Sequence, residues 1–173
     1  MQGNPSSIES FMENDQWLLV KIWKSDCGIC AKAAPAMMDL DRMHEEIKLI
    51  GISIDGQSQE GKRRAQWFID RFQLNFPNLL VDFLEFELFY LVLAQEPFRG
   101  TPTYILYNPM GQMMAVQPGI LSPESILRFI EKNSPTQTPI QAPTQNNTEI
   151  PLAPEPVYET VYENSYEVSV DVQ

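Results

Sequence analysis

Two cysteines, Cys27 and Cys30, stand three residues apart in the run Cys-Gly-Ile-Cys, and the chain has no others. They fall between an apolar, strand-like segment, Trp17–Trp23, and a segment with helical spacing that follows it. This spacing sets Cys27 at the helix start and Cys30 one turn inside. At a helix start the unpaired backbone N–H groups and the positive end of the dipole favour a thiolate. A thiolate is the nucleophile of disulfide exchange, and a partner three residues on is in reach to resolve a mixed disulfide. Three plainer readings compete. A structural disulfide closing so short a loop restrains the unfolded chain by only about 2 kcal/mol. A zinc site wants about four ligands, and His44 is the one further candidate of the usual soft kind. The third is a chance meeting of two unrelated thiols. Redox chemistry is the preferred reading.

The elements around the pair alternate. Ala33, Ala34, Met37, Met38, Leu40, Met43 and Ile47 give the apolar positions of a helix over 31–47. Residues 48–54 read as a second buried strand, closed by Asp55-Gly56, and Ala65, Phe68, Ile69 and Phe72 mark a helix over 60–72. A short strand over 78–82 precedes an apolar helix over 83–93. Strands at 104–107 and 112–117 are joined by Asn108-Pro-Met-Gly111, a hairpin turn. Ser122 and Pro123 open a last helix as N-cap and first helical residue. This order predicts an α/β domain, a mixed central sheet flanked by helices.

Charge and composition bound the function. The 173 residues carry 12 basic and 23 acidic side chains, a formal net charge of −11. Such a balance offers no electrostatic footprint for nucleic acid and opposes an anionic membrane surface. No stretch approaches the ~18 apolar residues of a spanning helix. Residues 1–15 carry Glu9, Glu13 and Asp15 and no base, so no basic n-region of a signal peptide is visible. On these grounds the chain as written reads as cytoplasmic, without membrane insertion. The acids Glu149, Glu155, Glu159, Glu163, Glu167 and Asp171 lie in residues 134–173, which contain no base and no glycine. The same stretch is rich in Pro, Thr, Gln and Asn, a composition that buries too little apolar surface to offset ordering entropy. The expected organisation is a folded domain over 1–133 and a disordered acidic tail over 134–173.

The segment Leu18-Leu-Val-Lys-Ile-Trp-Lys-Ser-Asp-Cys-Gly-Ile-Cys30, with Pro35 inside the next helix, resembles the active-site segment of thioredoxin-fold proteins. Gly51-Ile-Ser-Ile-Asp55, Phe72-Gln-Leu-Asn-Phe-Pro-Asn-Leu-Leu-Val-Asp82 and Arg99-Gly-Thr-Pro-Thr103 are similar to the membrane-anchored or exported thiol-disulfide oxidoreductases of the TlpA/ResA kind. The likeness spans residues 17–132 in order. It implies a thioredoxin-like fold and a cis Pro102 facing the Cys pair. It also implies that Thr101 offers backbone groups to an extended substrate, and that members work outside the cytoplasm. Two positions depart from the pattern. Asp26 precedes the first cysteine where the family often has Trp. Lys21 stands six residues before that cysteine, where thioredoxin has an acid thought to assist proton transfer. Asp26, Lys21 and Lys24 are therefore candidates for tuning the Cys27 pKa, a cation lowering it and an anion raising it. A carboxylate beside Cys27 biases the couple toward the reducing or isomerising end.

The expected function is thiol-disulfide exchange with protein disulfides or dithiols and an unidentified redox partner. Cys27 attacks, Cys30 resolves, and Thr101-Pro102 positions the substrate. No metal or organic cofactor is implied, since the electrons reside on the two sulfurs. His44 reads as a solvated histidine on the long helix, the eight methionines as core filler, and Lys62-Arg63-Arg64 as a solvated helix face. Tyr158, Tyr162 and Tyr166 recur every four residues, each followed by Glu. They supply the alternative: an interaction module whose Tyr-Glu tail recruits a partner.

Overall fold

The computed structural model describes residues 8–12 and 16–134. The expected tail beyond 134, with its Tyr-Glu repeat, lies outside the described residues.

Strand β1 (Trp17–Trp23) is buried along all seven residues. Both its faces are covered, which is why its sequence is apolar at every position but Lys21 rather than alternating. It pairs in parallel with β2 (Ile47–Ser53) and antiparallel with β4 (Thr103–Tyr107). β3 (Asn78–Leu80) and β5 (Met113–Pro118) complete a mixed sheet of order β3-β2-β1-β4-β5. Helices α1 (Gly28–Met43) and α2 (Gln59–Phe72) are the crossovers of two parallel β-α-β units. Helix α3 (Phe83–Ala94) precedes β4, and α4 (Pro123–Asn133) closes the domain.

Alternation along β1 divides the core in two. Trp17, Leu19 and Trp23 face α1, α2 and α4, packing with Ala34, Met37, Leu40, Phe68, Ile126 and Ile130. Leu18, Val20 and Ile22 face α3, packing with Ile50, Ile52, Phe86 and Tyr90. The short 3-10 turn Ile8–Phe11 lies against this second cluster. Two glycines permit close approaches. A Cβ on Gly51 would strike the Asn78 carboxamide that accepts the Trp23 indole N–H at 3.0 Å. A Cβ on Gly61 would strike the carbonyls of Asp55 and Gly56.

Several local signals hold as read. Ser122 Oγ accepts the Ser125 N–H, with Pro123 in the first helical turn. At the hairpin, Asn108 Oδ1 accepts the N–H groups of Met110 and Gln112, and Gly111 adopts φ +75°. The first long helix differs from expectation: it starts three residues earlier and ends at Met43 instead of Ile47. His44 is its C-cap, and Ile47 pairs with Trp17 as the first residue of β2. The apolar spacing of Ile47 fits either period, and the sheet partner decides it. Among the described residues, no helix is long and apolar enough to cross a membrane.

Candidate active site

β1 delivers the chain to a tight loop, Lys24–Asp26, and α1 begins at Gly28 with Cys27 as its N-cap. Cys27 and Cys30 are joined as a disulfide, their Cα atoms 5.2 Å apart. The Cys30 N–H donates to Cys27 Sγ at 3.0 Å, so one of the helix's free donors is already aimed at that sulfur. Cys27 is half-buried and reaches the surface beside exposed Gly28 and Ile29, whereas Cys30 is fully buried in the core under α1. The two sulfurs are thus chemically unequal, and the accessible one carries the helix-terminal N–H.

The loop is held from below. The Asp55 carboxylate, fully buried, accepts the Ser25 N–H at 2.9 Å, the Ser25 hydroxyl at 2.6 Å and the Ser53 hydroxyl at 2.8 Å. The Arg64 guanidinium lies 3.5 Å from it, and Arg64 also donates to the Asp55 carbonyl. Asp55 therefore fixes the residue two before Cys27. The sequence shows Asp55 as the close of the second strand and of the Gly51–Asp55 motif but not this role, because its partner Ser25 lies thirty residues away. The basic cluster read as a solvated face is partly drawn into this network. Arg63 and Arg64 both pair with Glu60, and together with Ser25, Asp26 and exposed Trp67 they line an open groove of about 460 Å³.

Thr101 and Pro102 come just before β4, whose first residue, Thr103, pairs with Ile22 at the end of β1 that leads into the cysteine loop. Their peptide bond is cis, and the Thr101 carbonyl oxygen lies 3.5 Å from Cys27 Sγ. Pro102 is buried, and its carbonyl accepts the Gly119 N–H. The structure thus brings Cys27, Cys30, Thr101 and Pro102 together.

The three charged candidates separate. Lys21 is almost wholly buried on the α1 side of β1, and its Nζ donates to the Cys30 carbonyl at 3.4 Å. It approaches the inner cysteine rather than the outer one. Burial pulls the ammonium down to about 8. Tyr104, its antiparallel partner in β4, is also buried, and burial pushes its phenol up to about 12. Lys24 is a surface group whose Nζ holds the exposed Asp26 carboxylate at 3.0 Å. The charge of Asp26 is therefore largely offset by its own neighbour. His44 sits at the opposite end of α1, about 24 Å along the helix axis, with Nδ1 3.0 Å from Glu46. It cannot join the cysteines in a zinc site.

A thioredoxin-type sheet carrying a Cys-x-x-Cys disulfide at a helix N-terminus, opposite a cis proline, defines a thioredoxin-fold thiol-disulfide oxidoreductase. The chain belongs to the thioredoxin-like domain family, whose model matches residues 5–134. Over 130 residues it is 26% identical to the thiol-disulfide oxidoreductase ResA of Halalkalibacterium halodurans, covering 75% of this chain and 69% of that one. Solved structures share the fold, two of them as follows. A thiol:disulfide interchange protein from Chlorobium tepidum superposes with TM-score 0.60 at 17% identity, over 75% of this chain and 86% of its own. The thioredoxin domain of a Bacteroides vulgatus thiol-disulfide oxidoreductase gives TM-score 0.59 at 20% identity, over 76% and 87%.

Proposed function

We propose that this protein exchanges disulfides with protein substrates, Cys27 acting as attacking thiolate and Cys30 as resolving thiol. In the reducing direction the Cys27 thiolate attacks one sulfur of a substrate disulfide. A mixed disulfide forms and the first substrate thiolate leaves. Cys30 then loses its proton and attacks Cys27 Sγ, closing the Cys27–Cys30 bond and releasing the second substrate thiolate. Two electrons pass to the substrate; the oxidising direction is the reverse. The observation that carries the reading is the inequality of the sulfurs: Cys27 half-exposed and receiving a helix-terminal N–H, Cys30 buried. Thr101-Pro102 holds the substrate strand through main-chain groups beside Cys27, supported by the carbonyl at 3.5 Å. Lys21 acts on Cys30, its buried cation favouring a thiolate there once the disulfide is opened.

Single-cysteine variants test the assignment. Cys30→Ser should accumulate a mixed disulfide with a reducible protein substrate, and Cys27→Ser should not. Equal trapping by both variants, or by neither, contradicts the division of roles.

A further inference from the structure

We propose that the outer face of α3 is a docking surface for a basic amphipathic helix of a partner protein, bound on the side of the sheet opposite the Cys pair. Helix α3 reads Phe-Leu-Glu-Phe-Glu-Leu-Phe-Tyr-Leu-Val-Leu-Ala, apolar nearly all round. A helix of this kind is ordinarily enclosed on every side. Here only Phe86 and Tyr90 are fully enclosed, against Ile50, Ile52 and the ring of Phe98. Leu84, Leu88 and Val92 remain 70%, 68% and 80% exposed, and Phe83, Phe89 and Leu91 roughly half so. At ~200 Å² for a large apolar side chain, Leu84, Leu88, Leu91 and Val92 together offer roughly 500 Å² on one face. That matches the ~300–600 Å² of the largest patch on a typical monomer, a patch that is often functional.

The chemistry of the occupant follows from the order of side chains around the helix. At about 100° per residue, the outward arc runs Glu87, Leu91, Leu84, Leu88, Val92, Glu85. A leucine-rich stripe is thus bordered by a carboxylate on each edge. Leu84, Leu88 and Leu91 are spaced four and three apart, the interval of a helix-pairing seam. The helix holds two acids and no base, Asp82 precedes it, and the next base along the chain, Arg99, is engaged by Glu96. Two copies meeting through this face would bring acidic borders together, and an anionic lipid surface would be repelled by them. A helix with a Leu or Phe stripe flanked by Lys or Arg fits both the stripe and its borders. Since α3 packs on the face that carries Leu18, Val20 and Ile22, and α1 on the other, such a partner leaves Cys27 free to react.

The test uses the full chain and a fluorescent 14-residue Leu/Lys amphipathic peptide, with a Leu/Glu peptide of the same pattern as control. The Leu/Lys peptide should bind and the control should not, with disulfide exchange unaffected. Leu84→Gln/Leu88→Gln alters exposed side chains without changing charge and should weaken binding at least tenfold. Glu85→Lys/Glu87→Lys should exchange the preference, losing Leu/Lys and gaining Leu/Glu. Binding that survives both double variants is nonspecific attraction to an acidic protein and overturns the proposal. So does a concentration-dependent dimer abolished by Leu84→Gln/Leu88→Gln, or sedimentation with vesicles containing phosphatidylserine that the same variant abolishes.

Discussion

The two sides of the sheet are built from alternate residues of the same strand and differ in kind. The side that takes Leu19, Lys21 and Trp23 carries α1, α2 and α4. Several of its buried polar groups meet named partners: Lys21 the Cys30 carbonyl, the Trp23 indole Asn78, and Asp55 both Ser25 of the cysteine loop and Ser53 of β2, while the buried Tyr104 hydroxyl finds none among the described residues. The side that takes Leu18, Val20 and Ile22 is filled by aliphatic and aromatic chains under α3 and the short 3-10 turn, and the outer face of α3 is left apolar. The first side spends stability on oriented polar groups where sulfur chemistry needs them. The second supplies plain hydrophobic burial and an unfinished surface. One strand pattern serves both because a single alternation separates reactivity from adhesion.

The sharpest way to break this contrast is Asp55→Ala. It leaves the Ser25 N–H, the Ser25 hydroxyl and the Ser53 hydroxyl without their common acceptor, and Arg64 without its buried counter-charge. Leaving a buried donor without its acceptor costs about 1–3 kcal/mol for each group, read as a fall in the denaturation midpoint together with slower disulfide exchange. A loss below ~1 kcal/mol would mean the loop holds itself.

Lys21→Met acts in the other direction. With the folded ammonium at about 8 and an ordinary unfolded value near 10.5, the unfolded chain binds more protons between those values. Stability of the oxidised protein should therefore rise with pH from about 8, and the full burial penalty applies below it. Above ~10 the rise should be reversed, because buried Tyr104, pushed up to about 12, keeps a proton that the unfolded chain gives up. Methionine removes the penalty, so the variant should gain about 2–3 kcal/mol at pH 7 and lose the rise above pH 8. Urea titrations at pH 7 and 9.5 measure both. A destabilised variant would show that the bond to the Cys30 carbonyl outweighs desolvation.

The smallest effect is expected at Asp26→Asn. An exposed ion pair contributes ~0.2–1 kcal/mol, and Lys24 already offsets this carboxylate. The couple's potential should become more oxidising by only ~10 mV. A shift of ~30 mV or more would restore Asp26 as a principal control of the thiolate and sharpen the reducing bias read from its position.

The bounds of β1 and the hairpin turn were legible because each rests on local chemistry: a run apolar but for Lys21 in one case, an Asn and a Gly at fixed turn positions in the other. The end of α1 was not, since Ile47 satisfies helical spacing until Trp17 takes it into the sheet. At the site, the spacing of Cys27 and Cys30 placed them at a helix terminus, and likeness to known oxidoreductases pointed to the cis Pro102. Lys21 and Asp55 were harder. That Lys21 lies beneath Cys30, and that Asp55 holds Ser25, are contacts that only the folded chain makes, between residues nine and thirty apart. Asp26 was read from adjacency alone, and the Lys24 side chain that holds it was visible in sequence only as a neighbour.

Competitive alkylation of the reduced protein bears most directly on the inequality of the two sulfurs. Brief treatment with iodoacetamide at pH 7, read by peptide mass spectrometry, should modify Cys27 and leave Cys30 intact, with rates differing by at least tenfold. Comparable modification of both cysteines, or faster modification of Cys30, would contradict the assignment of Cys27 as the attacking thiolate.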